Sequence, residues 1–490
     1  MAMKILKKLS YLGIVLPMLA LSTSCTKDFV EINTNPNAST AASPQSLLAP
    51  ALVSTINSNL DRCFRINNEF MQVTVTLVDS REFQRYEVRP SESEPLWRNW
   101  YLQLTNFRDI YETAEHGQQA GYQTFQGISL ILDTWVSSLI TDMFGDVPYF
   151  ESNLGKYGNT TPKFDAQRDI YEDLFRKLDS ANVLLSANVN LPSDLASTDP
   201  IYGGVANKWR RFGNSLYLRL LMRVAHKSDI DAVSKITQIV SNPSTYPLMA
   251  SNDDSAVLYF TGSLPYVTQF YNARDYDFNG DKGYSQFFIN SLLDLKDPRL
   301  PVWATEASLG FYSGMQSGYP KGSVPDRQST LQLALKTEPR LGNIMNYAEL
   351  QFILAEAAIK GYITGNADTY YRNGVNASIA FWDKTITNDY FNNPAVNLLE
   401  TDDQTDQLKK VYLQRYFSML FTDFQQWYEY RRTNGMLDLY KGPGLLNGGN
   451  MPVRLNYPLI VQSLNRANYE DAVARLGGKD DINGKMWWQP

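Results

Sequence analysis

From Trp97 to Met143 the apolar residues recur at threes and fours twice in succession, and no β-rich fold accommodates such a run. Trp97, Trp100, Tyr101, Leu104, Phe107, Tyr111 and Ala114 share one helical face. Phe125, Ile128, Leu132, Trp135, Val136, Leu139, Ile140 and Met143 share another. A short turn around Gly117 to Gly121 makes them a helix hairpin. Gly145 is placed to cap the second helix, and Pro148 prevents its continuation. The pattern returns at Ile170–Leu185 with Val205–His226, and at Tyr347–Lys360 with Ala367–Trp382. A further helix is expected over Thr405–Phe424, and a single one near the start over Gln45–Leu60. Helix pairs that leave an apolar face open are stabilised by stacking, which predicts a mainly α, tetratricopeptide-like scaffold with long irregular insertions.

The longest insertion, 243–342, is rich in Gly, Pro, Ser, Asp and aromatic residues, with one short helix expected near Phe287–Leu295. Irregular segments on a rigid scaffold tend to carry binding. Aromatic residues make up 13% of the chain, 30 of them Tyr, and Tyr and Trp suit surfaces that meet partly polar ligands. Helix packing claims most of them.

Residues 1–24 read as a secretory signal: Lys4, Lys7 and Lys8, an apolar segment from Leu9 to Leu21, then Ser22-Thr23-Ser24-Cys25. A signal ending in small residues and Cys resembles that of a bacterial lipoprotein, with Cys25 acylated and residues 25–40 a polar tether. Ser22 stands where such signals carry Leu, which leaves ordinary secretion with a leftover Cys open. Residues 41–490 then form a single body. With Cys25 acylated, Cys63 would be a lone thiol and no internal disulfide could form; a small buried apolar role is expected for it. His116 and His226 are the only histidines, each at the end of an amphipathic segment where a cation complements the helix dipole.

So little Cys and His nearly excludes thiolate zinc sites and Cys/His dyads. A net charge of −6 with scattered cations argues against nucleic acid. No phosphate loop, His-Glu-x-x-His or Gly-x-Ser-x-Gly is present. Asp275-Tyr276-Asp277-Phe278-Asn279-Gly280 opens like a calcium loop, but Gln286 occupies the twelfth position, which favours a polar turn. Asp253-Asp254 and Asp402-Asp403 are sequence neighbours that share no helical face, so a glycosidase pair is not expected from them. The chain is read as neither an enzyme nor a cofactor protein.

Several segments, in order and spacing, resemble the SusD/RagB family of nutrient-binding outer-membrane lipoproteins of the Bacteroidetes. They are Phe29–Asn37, Met143–Tyr149, Asp297-Pro298-Arg299-Leu300, Leu354–Trp382, Trp427–Gly435, Pro452-Val453-Arg454-Leu455 and Trp487-Trp488. The resemblance implies a tetratricopeptide-like body, lipid-anchored at the cell exterior, that captures an oligosaccharide for a TonB-dependent outer-membrane transporter. An oligopeptide ligand, or a purely structural lid, remains an alternative within the same architecture. It further implies that Arg431 and Arg454 meet carboxylates or carbonyls and that Trp487-Trp488 cap the core. Family ligand residues vary, so the site is placed by chemistry: aromatic planes stack on sugar C–H faces while Asn, Asp, Arg and Gln bind hydroxyls. The expected platform is Tyr276, Phe278, Trp303, Phe311, Tyr312 and Tyr319, with Arg81, Phe83 and Tyr86 beside it.

Overall fold

The computed structural model describes residues 42–79, 83–115, 121–387, 389–399 and 401–490. The chain divides after Ser43, and the unit Pro44–Pro490 is the one described below. The signal, Cys25 and the tether lie outside the described residues, as do His116 and Arg81.

The periodic segments are helices: α1 (Pro44–Arg62), α2 (Glu94–Glu115), α3 (Tyr122–Phe144), α4 (Gln167–Ser186), α5 (Ala206–Val224), α6 (Ala232–Ser241), α7 (Gln286–Leu295), α8 (Tyr347–Ile359), α9 (Ala367–Ala380), α10 (Gln404–Ser418), α11 (Gln425–Arg432), α12 (Leu459–Leu464) and α13 (Arg466–Arg475). Successive members pack on one another from α1 to α6, except that α1 meets α2 across the segment between them, and α8 joins α5, α9 and α10. α3 is long and apolar enough to cross a membrane, yet 94% of its apolar window is buried in the body, so it is a core helix. Two glycines let its neighbours approach. A Cβ on Gly127 would stand 2.6 Å from Leu185 Cγ of α4, and one on Gly213 of α5 would stand 2.8 Å from Ile131 Cδ1. Gly145 ends α3 with φ of 87°, its N–H donating to the Thr141 carbonyl at 2.8 Å, as the cap chemistry predicts.

The segment expected as one helix from Thr405 to Phe424 stops at Ser418. Phe421 and Asp423 take positive φ of 61° and 37°, which no helix continues, and the chain turns into α11. That turn has a purpose in the interior. α11 brings Glu429 against Arg223 of α5 at 3.0 Å and Arg415 of α10 at 2.7 Å, while Arg432 meets Glu356 of α8 at 2.6 Å. Arg219 of α5 and Arg415 both reach Glu349 of α8, at 2.6 and 3.3 Å. Four helices therefore share one buried ion network. Breaking one member would strand a desolvated charge.

The C-terminal signature is structural. Arg431 donates to the carbonyls of Asp142 at 2.9 Å and of Val453, and its guanidinium lies 4.2 Å from the Trp427 ring and 4.9 Å from the Trp488 ring. Arg454 pairs with Asp480 at 2.5 Å and donates to the Phe144 carbonyl at 3.1 Å. Trp488 is fully buried and Trp487 half-buried over Tyr171 at 5.8 Å. In the Asp-Pro-Arg motif, Arg299 makes a buried pair with Asp297 at 2.6 Å and donates to Ser378 Oγ of α9 at 2.6 Å, pinning the insertion to the scaffold.

The insertion 243–342 is more ordered than its composition suggests. Beyond α7 it adds a helical turn at Leu300–Trp303 and short antiparallel pairings. β1 (Thr74–Thr76) pairs with β5 (Lys282–Tyr284), and β4 (Ala256–Val257) with β6 (Asn343–Met345); β2 (Val147–Pro148) and β3 (Phe164–Asp165) pair at the end of α3. The first of these joins the β-branched run after α1 to the insertion. Cys63 is buried against Asn67 and Asn68, and burial raises its thiol well above the usual range, so it is a core residue and no nucleophile. His226 sits two residues past α5; partial burial and Lys227 lower its pKa, which works against the dipole-stabilised cation expected there.

Candidate glycan-binding cleft

α1 has two faces. Leu48, Leu52, Ile56 and Leu60 enter the core, while Pro50, Val53, Ser54, Asn57, Ser58 and Asp61 stay open at spacings of three and four. The helix continues into a π-helical turn, Cys63–Asn67, which presents Phe64 and Arg65 at its end. The segment 265–282 of the insertion runs back along this open face. It is pinned by Asn57 Nδ2, which donates to the Val267 carbonyl at 3.1 Å.

Where the segment meets the π-helical turn, three rings close on one another. Phe64 lies 4.8 Å from Phe270 and 5.4 Å from Phe278, and Phe270 lies 5.2 Å from Phe278. Lys282 Nζ stands 3.7 Å from the Phe64 centroid, a cation–π contact. A cavity of about 530 Å³ opens above these rings, and Asp61, Arg65, Arg89, Gln269 and Asp277 complete its walls. Glu92 orients the guanidiniums, accepting from Arg65 at 2.9 Å, Arg89 at 3.2 Å and Arg62 at 3.4 Å. An apolar floor with carboxylate, guanidinium and amide groups at its edges matches a sugar ring: C–H faces below, hydroxyls around the rim.

The expected platform is only partly assembled. Phe278 lines the cavity, and Tyr276, 68% exposed, stands on the same π-helical turn Tyr276–Gly280. Its ring covers Gly280, where a Cβ would come within 2.4 Å of it. Phe311, 71% exposed, and the half-buried Tyr312 belong to a separate hairpin, in which the Phe311 N–H donates to the Ser308 carbonyl at 2.8 Å. Trp303 is a core residue, with no exposed surface. It packs edge-on to Trp382 at 5.4 Å and beside Phe288 at 5.8 Å, and no ligand can reach it. Tyr319 is likewise buried, its hydroxyl donating to the Thr76 carbonyl at 2.8 Å. Burial pushes that phenol up to about 12. Phe83 and Tyr86 are buried around Phe70, at 5.8 and 6.3 Å. Each of these rings found partners in the interior, Phe83 and Tyr86 around Phe70 and Trp303 against Trp382 and Phe417, which removed it from the surface.

Asp61, Phe64, Arg65, Gln269, Phe270 and Lys282 were not anticipated. The expectation from the sequence is a helix over Gln45–Leu60 and no more, without its polar stripe or the segment that covers it. The calcium-like turn binds cations of the chain itself: Asp275 meets Lys336 at 2.8 Å, and Arg274 grips Asp277 at 2.6 and 2.8 Å. Among the described residues no group of three or more His, Cys, Asp or Glu is placed to hold a metal ion. A larger groove, about 720 Å³, lies beside Trp487, but its walls are ion pairs, Arg168 with Asp229 and Arg475 with Asp146, around one half-buried ring. The meeting of three rings with a rim of carboxylate, guanidinium and amide groups, not volume, selects the smaller cleft.

These elements define a mainly helical body with an irregular insertion that returns over α1. The chain belongs to the SusD-like family described as starch-binding and associating with the outer membrane, which matches residues 36–458. Among solved structures it is similar to a chitin-binding protein, at 26% identity and a TM-score of 0.76 over 91% of this chain and 99% of that one. A SusD homologue from Bacteroides fragilis gives 24% identity and a TM-score of 0.78, covering 91% and 99%. A chitin-binding SusD homologue from Flavobacterium johnsoniae gives 22% and 0.75, covering 91% and 97%. No curated protein sequence matches the chain.

Proposed function

We propose that this protein captures an oligosaccharide in the Phe64–Phe270–Phe278 cleft and holds it, unchanged, for import by a TonB-dependent outer-membrane transporter. The observation that carries the reading is the meeting of three aromatic rings with Asp61, Gln269 and Asp277 at one cavity of about 530 Å³. Family membership and the 26%-identical chitin-binding protein support a glycan as the ligand. Cys25 as a lipid anchor, with the body facing the cell exterior, accords with that role. An oligopeptide would use the same charged rim, so the ligand class must be measured.

Calorimetry against malto-, chito- and xylo-oligosaccharides and a set of oligopeptides tests this. At least one sugar series binds, releases no shorter product on prolonged incubation, and loses about tenfold in affinity, roughly 1.4 kcal/mol, on Asp61→Ala. Peptide binding without sugar binding would replace the ligand class. Product formation would replace the binding role with an enzymatic one.

A further inference from the structure

The cleft does not end at Gln269. A second cavity, about 520 Å³, continues along the same open face of α1 and is lined by Ala49, Val53, Asn57 and Ser58 on the helix and by Pro265 on the returning segment. Gln269 lines both cavities. α1 supplies one wall of each, in register: Val53, Asn57 and Ser58 to the second, Asp61, Phe64 and Arg65 to the first. At 1.5 Å per residue, the stretch from Pro50 to Arg65 extends over roughly 20 Å. The two cavities are therefore successive parts of one trough between α1 with its π-helical continuation and the returning segment 265–282.

We propose that this trough binds an extended oligosaccharide along α1, with a second set of sugar-binding positions between Ala49 and Ser58, so that the protein selects chain length. The proposal rests on the cleft reading above. The chemistry of the two ends differs in a way that suits one chain. The ring-lined end offers stacking and charge. The second end offers no ring, but Ser58 and Gln269 bring hydroxyl and amide groups, and Ala49, Val53 and Pro265 give small apolar surface against which a sugar edge can lie. The Gln269 side chain is exposed at the junction, where it can reach a hydroxyl from either side. A single sugar fills only the first cavity. A longer chain enters the second without losing translational freedom again, so its added contacts appear as affinity.

The test is a length series of malto- and chito-oligosaccharides, from disaccharide to hexasaccharide, measured by calorimetry on wild type, Val53→Trp and Asp61→Ala. Val53 is half-exposed on the open face of α1, and thermal melting checks that the indole leaves the fold intact. On wild type, affinity rises by about a hundredfold from the disaccharide to the longest chains. Val53→Trp abolishes that rise and leaves the disaccharide untouched, whereas Asp61→Ala weakens every length. If affinity is flat with length and Val53→Trp changes nothing while Asp61→Ala still weakens binding, the trough proposal falls and the cleft stands. If Asp61→Ala has no effect on a sugar that binds, both fall. If only extended peptides bind, and Val53→Trp blocks them, the trough carries a peptide and the saccharide assignment is overturned.

Discussion

Trp303 separates a core reading from a site reading more cleanly than any other residue. As a surface ligand contact, its removal would abolish glycan retention at unchanged stability; as the buried residue observed, it should do the reverse. Its ring is fully enclosed by Phe288, Trp382 and Phe417, with the Arg299 guanidinium 5.3 Å from its centroid. Truncating a buried Trp to Ala costs about 3–5 kcal/mol from lost transfer energy and the residual cavity. Trp303→Phe should cost far less. Phenylalanine keeps most of the packing, and the change removes an indole Nε1–H that is buried without a partner, a group whose burial costs about 1–3 kcal/mol. Urea denaturation followed by far-ultraviolet circular dichroism reads both variants. Trp303→Ala should move the midpoint sharply down and Trp303→Phe only slightly, with glycan affinity preserved wherever the protein remains folded. Wild-type stability of Trp303→Ala together with lost retention would refute the burial argument.

Asp423, enclosed between α10 and α11, is pushed up to about 6 by burial, which outweighs Arg219. A carboxyl raised from its ordinary range stabilises the fold as pH falls from above 6 towards 4, by about 3 kcal/mol for two units. Glu356 has the opposite sign: burial would raise it, but Arg432 and Lys360 outweigh that and hold it at about 2. Its contribution is complete above pH 4.5 and is lost as pH falls towards 2. Urea midpoints should therefore rise as pH falls from about 6 and peak near about pH 4 to 4.5, and Asp423→Asn should flatten the limb above pH 4; a steady fall from pH 7 to 4 would contradict the assignment. Gly213→Leu should destabilise by at least about 1–3 kcal/mol, since its first side-chain carbon already meets Ile131, and a thermal melt will show it. Cys25→Ala should release the protein in soluble form on cell fractionation, and retention in the outer membrane would end the lipid-anchor reading.

The long helices were legible because their signal is local. Trp97 to Ala114 repeats the helical period without help from the rest of the chain, and α2 follows it to within a turn. The break after Ser418 was not legible, because Phe421 and Asp423 carry no turn signature of Gly or Pro. Their left-handed geometry serves partners found only in three dimensions, Arg223, Arg415 and Glu356. α6 is amphipathic, with Ile236 and Ile239 buried, but it is short and follows a polar turn that masked it.

The site shows why irregular backbone is a poor guide to exposure. Aromatic residues in the insertion were expected at the surface because their segment has no repeating secondary structure. Yet an irregular segment of 100 residues must bury apolar groups of its own, and Trp303 and Tyr319 are among those it buries. What remains for a ligand is the boundary where the insertion meets the polar stripe of α1. Neither side has a binding surface alone: α1 contributes Asp61, Phe64 and Arg65, and the returning segment contributes Gln269, Phe270 and Asp277. The floor is rigid because Phe64, Phe270 and Phe278 are more than nine-tenths buried, while the rim consists of side chains that differ freely in charge and length. A scaffold so arranged can change its ligand by changing the rim and the covering segment, leaving the helix network intact. The fold likeness of relatives at identities near 25% and below accords with such a scaffold.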